Sequence, residues 1–302
     1  MQNDFIYLDH AAATPVDQRV VAAMQPYFTD AFFNPSSPYA PALAVRREYE
    51  AAKQVIASAI GAKGDELVMT AGATESINLA FQSIGGHIVT AVIEHHAVIE
   101  AAKQFDHTFV SVNPQGRVDT VAIAAAIRPD TRLVSIALAN NELGTVQPLR
   151  DIAEIIKKER ERRLSSGDTT PIYLHSDASQ GVGQIDVNVA RLGVDLLTLN
   201  AGKVYGPKQM GLLWVHVSFP GVDAERLIFA LEMRGVMVAT GSACAANKGT
   251  RSHVLTAIGL TDDVADGSLR ITLGKLSTQE NCDLAAHCII QEVQREQQRV
   301  RR

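Results

Sequence analysis

Seven short runs rich in aliphatic and β-branched residues, ELVMT, HIVTAV, TFVSV, RLVSIAL, IYLHSD, VDLLTLN and GLLWV, alternate with helical stretches from about Ala40 onward. That alternation predicts an α/β domain with a seven-stranded, mostly parallel sheet. The first long helix reads APALAVRREYEAAKQVIASAIG, with Gly61 closing it. Further on, DIAEIIKKERERRL sets Ile152, Ile155 and Ile156 on one helical face and a dense charge run on the other, which predicts a solvated face. After GLLWV the texture changes to VSFPG, a helix at DAERLIFALEMRG, a strand VMVAT, a Gly/Ala-rich loop, a helix near SHVLTAIGL, a strand SLRITLG and a polar final helix. This predicts a smaller α+β domain. The expected division is a large domain over 15–215 and a small one made of 1–14 and 216–302.

Charge and cysteine content narrow the function classes. A formal net charge of -5 carries no basic excess, so the electrostatic footprint of nucleic-acid binding is missing. No apolar run is long enough to span a membrane and MQNDFIYLDH has no export-signal pattern, so a cytoplasmic location is expected. Cys244, Cys282 and Cys288 are too few and too irregularly spaced for a disulfide framework or a metal site, which leaves room for a working thiol.

Lys203 follows a strand in LLTLNAGKVYGPK, where α/β sheets bind ligands, and a lysine there forms a Schiff base readily if desolvation or nearby cations lower its pKa. Asp177 ends another apolar strand in IYLHSDASQ, a costly place for an acid without a partner. A protonated pyridinium would be such a partner, with Gln180 in reach of a ring oxygen; standing alone, Asp177 reads rather as an ordinary helix N-cap. In MTAGATESINLAF a small-residue loop enters a helix, so Gly72, Ala73 and Thr74 would offer backbone N–H groups to a phosphate, or merely cap. His95 in EHHAV begins a helix after a strand and could stack on a flat ring and move protons. Cys244 lies in a loop of small residues near Lys248 and Arg251, whereas Cys282 and Cys288 fall in a helical pattern.

Together with YLDHAAATPVD, NPSS, ANNELGTVQP, ATGSACAA and GSLRITLGKLST, these motifs resemble the group I cysteine desulfurases of iron–sulfur cluster assembly, within the class V aminotransferase superfamily. The resemblance covers nearly the whole chain in the family's order. It implies the type I fold of transferases dependent on pyridoxal 5'-phosphate. Lys203 would carry the cofactor, Asp177 would pair with its ring nitrogen, Gln180 would reach its phenolic oxygen and His95 would stack on the ring. Ala73 and Thr74 would hold the phosphate, Asn141 and Arg270 would grip the substrate carboxylate, and Cys244 would take sulfur from L-cysteine as a persulfide. It also implies a homodimer and a protein sulfur acceptor such as an iron–sulfur scaffold.

Two departures stand out. Where the family shows Ser-x-His-Lys, this chain has Asn200, Ala201, Gly202 and Lys203, so Asn200 is the remaining side chain for the phosphate. After Trp214 the family carries a long insert with a GG-x-QE-x-G-x-R-x-GT motif, and here GLLWVH runs straight into VSFPG. A compact natural enzyme, a degenerate relative that keeps only the shape, and an internally deleted sequence all fit this junction. A selenocysteine lyase-like enzyme and a non-catalytic interaction protein are the competing readings.

Overall fold

A computed structural model describes residues 9–218, 239–240, 268–270 and 279–300. Two compact units emerge, Met1–Trp214 and Val215–Arg302.

The first unit opens with two short helices, α1 (Gln18–Met24) and α2 (Pro26–Thr29), neither evident in the sequence pattern. Helix α3 (Ala40–Ala59) follows. Gly61 closes it at φ +73°, a left-handed conformation that glycine adopts without steric cost. A Cβ there would also lie 2.2 Å from the Asn188 side-chain nitrogen.

The seven expected strands all form: β1 (Leu67–Thr70), β2 (His87–Ala91), β3 (His107–Val110), β4 (Thr131–Ser135), β5 (Tyr173–Asp177), β6 (Leu196–Asn200) and β7 (Gly211–Val215). They build one sheet in the order β1-β7-β6-β5-β4-β2-β3. The β2–β3, β2–β4, β4–β5 and β5–β6 pairs are parallel, and β1 runs antiparallel to β7. Between them lie α4 (Ala73–Ile84), α5 (His96–Ala102), α6 (Thr120–Ala126), α7 (Leu149–Ser165) and α8 (Val189–Leu192).

Helix α4 buries Ile77, Ala80, Phe81 and Ile84, the i, i+3, i+4, i+7 stripe of an amphipathic helix. Each large side chain so removed from water contributes about 1.5–3 kcal/mol. The parallel strands are covered on both faces, which explains why Ile88 and Val89, neighbours that point to opposite sides, are both fully buried.

The charge run of α7 departs from the expected solvated face. Ile152 and Ile156 are buried as expected, but Arg163 is only 1% exposed. Its guanidinium donates to the Thr131, Thr170 and Arg128 carbonyls and pairs with Glu159 at 2.6 Å, so it ties the end of α7 to the start of β4. These three carbonyl acceptors and the Glu159 carboxylate make burial of this cation tolerable.

Residues 9–14 hydrogen-bond within the first unit, whereas the sequence groups 1–14 with the small domain. Thr14 Oγ1 donates to the Gly202 carbonyl (3.2 Å) and accepts from the Tyr205 amide (2.7 Å), and the Ala11 carbonyl accepts from Gln180.

In the second unit, β8 (Val217–Ser218), β10 (Ser268–Arg270) and β9 (Ala239–Thr240) form a three-stranded antiparallel sheet in that order. Helix α9 (Gln279–Val300) contains both Cys282 and Cys288, and Cys288 is a buried free thiol. The helices expected at DAERLIFALEMRG and SHVLTAIGL, and the Cys244 loop, lie outside the described residues.

Candidate active site

The carboxyl ends of β2, β4, β5 and β6 lie side by side and carry most of the singled-out residues. From β2 the chain crosses outward to β3, whereas from β4 it proceeds inward to β5 and β6. This reversal leaves a crevice between the ends of β2 and β4, the place where open α/β sheets bind ligands. One cavity there is lined by His95, Asn140, Asn141, Asp177, Gln180 and Lys203 among others.

Lys203 sits in a 3₁₀ turn, Ala201–Lys203, directly after β6. Burial lowers its pKa and the charge of Asp177 opposes that shift, so the amine is biased toward the neutral, nucleophilic form. Asp177 ends the adjacent strand, in register with Thr198, and its Oδ1 accepts from the Ser179 amide at 2.9 Å. Ser179 Oγ is buried beside it and, among the described residues, finds no hydrogen-bond partner.

His95 caps α5, its Nδ1 accepting from the Ala97 amide at 3.1 Å. The neutral ring therefore carries its proton on Nε2, because Nδ1 cannot hold a hydrogen and accept one at once. Asn141 stands at the start of a loop organised by its neighbour. Asn140 Oδ1 accepts from the Glu142 and Leu143 amides, and its Nδ2 donates to the Ile93 carbonyl at 2.9 Å.

At the far side of β6, the loop between β1 and α4 brings Gly72, Ala73 and Thr74 to the start of a twelve-residue helix. Gly211 seats this loop: a Cβ there would stand 2.7 Å from the Gly72 carbonyl carbon and 2.9 Å from the Leu199 oxygen. Asn200 uses its Oδ1 to accept from the Gly202 amide, leaving its Nδ2 to donate elsewhere. Gln180 likewise directs one Nε2 hydrogen to the Ala11 carbonyl.

Arg270 ends β10, and its side chain, like Cys244, lies outside the described residues. Sequence reasoning missed Glu94 and His175. Glu94 accepts the Ala137 amide, and His175 is buried between Ser135 and Thr198. Both precede a residue chosen for its chemistry by one or two positions, and neither stands in a pattern that proclaims a ligand.

A family profile described as Aminotransferase class-V matches residues 6–218. The chain belongs to the class V aminotransferase family. Within it, the chain is 33% identical to the cysteine desulfurase IscS of Dictyoglomus turgidum, covering 91% of each protein, and 31% identical to the putative cysteine desulfurase IscS 1 of Bacillus subtilis, covering 96% of this chain and 99% of that one. The first alignment runs over 370 positions, more than the 302 residues of this class V chain, so it spans a stretch of the relative with no counterpart here. Among solved structures, "SspA in complex with cysteine" superposes with a TM-score of 0.64 at 28% identity, over 89% of this chain and 99% of that one. A "NifS-like protein" gives 0.63 at 25% identity, over 96% and 98%.

Proposed function

We propose that this chain is a cysteine desulfurase dependent on pyridoxal 5'-phosphate, which takes the sulfur of L-cysteine onto Cys244 and releases L-alanine. The reading rests above all on one observation: an amine biased toward neutrality, Lys203, shares a cavity with a carboxylate, Asp177, at the ends of adjacent parallel strands.

The residues present fit the cofactor. Lys203 would hold its aldehyde carbon, Asp177 its protonated ring nitrogen, and Gln180 its phenolic oxygen. The amides at Ala73 and Thr74 open α4 and would hold the phosphate, helped by Asn200 Nδ2 and the positive end of the helix dipole. Ser179 Oγ, buried at the cavity without a partner among the described residues, is a polar atom that a bound ligand could satisfy. When bound, the cofactor supplies an electron sink for the bonds around the substrate Cα.

The chain's own groups supply the rest. Asn141 and Arg270 would orient the substrate carboxylate. His95 presents Nε2–H as a donor, and to accept a proton at Nδ1 it must first release the Ala97 amide. The Cys244 thiolate attacks the substrate sulfur, forming an S–S bond as the C–S bond breaks. The electron pair of that bond returns to the alanine carbon with a proton, and a persulfide remains on Cys244. On this reading the enzyme is cytoplasmic, pairs with a second copy and hands sulfur to a protein acceptor such as an iron–sulfur scaffold.

Protein supplied with pyridoxal phosphate should develop a visible absorption band that Lys203→Ala lacks. Cys244→Ala should keep the band and form no alanine, while Cys282→Ala changes neither. A colourless wild type would favour a non-catalytic interaction protein, and selenide release from selenocysteine without alanine from cysteine would favour a lyase.

A further inference from the structure

The crevice between β2 and β4 is bridged by the Glu94 side chain. Beyond Ser135 the chain continues alongside β5, where the Ile136 amide donates to His175 O at 3.1 Å and the Leu138 amide to Asp177 O at 2.9 Å. Amides alternate along a strand, so the N–H of Ala137 points the other way, toward β2. There β2 has already ended at Ala91 and the chain has turned toward α5. The missing acceptor is the Glu94 carboxyl, whose Oε1 and Oε2 lie 3.0 and 3.2 Å from the Ala137 nitrogen.

We propose that Glu94 is a positioning residue that holds the His95 turn over the cavity by giving the Ala137 amide the acceptor β2 no longer supplies. The inference rests on the desulfurase reading for its catalytic consequence. Its geometry stands apart from it. Glu94 immediately precedes His95, and Ala137 lines the same cavity as Asp177 and Lys203, so the clamp fixes the distance between the imidazole and the cavity floor. Ile93, on the other side of Glu94, is held to the same segment by Asn140 Nδ2, so two adjacent residues anchor the turn. Burial, reinforced by the charge of Asp177, pushes the Glu94 pKa up to about 8 against the opposing pull of the Ala137 amide. Burial thus biases Glu94 toward its neutral form, and Asp177 is the acidic side chain among the described residues that line the cavity.

The test compares Glu94→Ala, which removes the acceptor, with Glu94→Gln, which keeps an amide oxygen for Ala137. In cofactor-free protein labelled with ¹⁵N-histidine, with the His95 signal assigned from His95→Gln, Glu94→Ala should shift the imidazole resonance and Glu94→Gln should leave it near the wild-type position. In loaded enzyme Glu94→Ala should lower kcat by about 10²-fold, the scale of an ångström's misplacement, with KM changed less than about threefold. Glu94→Gln should restore most of it. If Glu94→Ala fails to fold, Glu94→Asp, one methylene shorter, should move the His95 resonance and lower kcat in the same sense. An unmoved His95 resonance in the alanine or aspartate variant overturns the proposal, as does a glutamine variant as impaired as alanine. Should the wild type form no alanine at all, the desulfurase reading falls while the resonance still decides the role of Glu94.

Discussion

The Thr14 hydroxyl accepts the Tyr205 amide at 2.7 Å and so joins the N-terminal segment to the loop that carries Lys203. The same hydroxyl donates to Gly202 O, and Lys208 Nζ bonds both the Thr14 and Gly202 carbonyls. Tyr205 has φ +61°, a left-handed conformation unfavourable for a bulky residue, and Thr14 is among the contacts that hold it there. Thr14→Val keeps the shape and removes the hydroxyl from a site only 3% exposed. The expected loss is about 1–3 kcal/mol, the cost of a buried polar group left without its partner. Urea unfolding measures that loss, and the loosened loop should also release pyridoxal phosphate faster on dialysis.

Gly211 offers a test of the phosphate loop that leaves every candidate ligand in place. In Gly211→Ala the new methyl must displace Gly72 or Leu199, because backbone atoms of both lie under 3.0 Å from it. The loop between β1 and α4 should shift, and the dissociation constant for pyridoxal phosphate should rise about tenfold or more, the effect of losing one charge-assisted hydrogen bond. Absorbance titration reads this directly. An unchanged affinity would show that Gly72, Ala73 and Thr74 do not hold the phosphate.

Arg163→Met tests the buried cation at the end of α7. Removing it takes the guanidinium donor from the Thr131, Thr170 and Arg128 carbonyls, of which Arg128 O keeps the Thr131 amide, while Glu159 keeps Arg162 as a partner at 2.7 Å. The variant should lose about 3 kcal/mol, the low end for breaking a buried ion pair, and should leave the visible cofactor spectrum unaltered because Arg163 lies toward the amino ends of the strands. Thermal melts of the two proteins, with and without cofactor, check both halves.

The sheet was legible because each strand is a separate apolar run bounded by turn residues, and in the first unit all seven runs became strands. What stayed hidden depends on contacts across long sequence separations. Nothing in ERERRL marks Arg163 as the buried arginine, since its partners Thr131 and Thr170 become neighbours only when α7 docks. The antiparallel entry of β1 beside β7 is equally invisible, because an apolar run carries no direction. Lys203, Asp177, His95, Ala73 and Thr74 could be singled out because they end or follow strands or begin helices, and Gln180 because it lies three residues past Asp177, whereas Asn141 came only with the family resemblance. Glu94 was overlooked because its role is to replace a carbonyl missing from the sheet, and only the register reveals that vacancy.

His175 and Glu94 act on stability from opposite ends of the pH scale. Burial lowers the His175 pKa from 6.5 to about 3, and its ring is held by Ser135 at 2.8 Å and Thr198 at 3.0 Å. Between those pKa values the unfolded chain binds a proton that the folded chain does not, so this contribution weakens as pH falls through 6.5 toward 3. Glu94 is raised from 4.5 to about 8, chiefly by burial. The folded chain there keeps a proton that the unfolded chain releases, so its contribution weakens as pH rises from 4.5 toward 8. From 4.5 to 6.5 the two slopes cancel, which gives these two groups a flat maximum with an acid limb below and an alkaline limb above. Urea midpoints measured from about pH 4 to about pH 8.5 should follow that outline. Glu94→Gln should erase the alkaline limb and, with nothing left to cancel the His175 slope, extend the acid limb up to about pH 6.5, because an amide does not titrate. A glutamine variant that still loses stability as steeply between pH 6.5 and 8 would assign that limb to other groups.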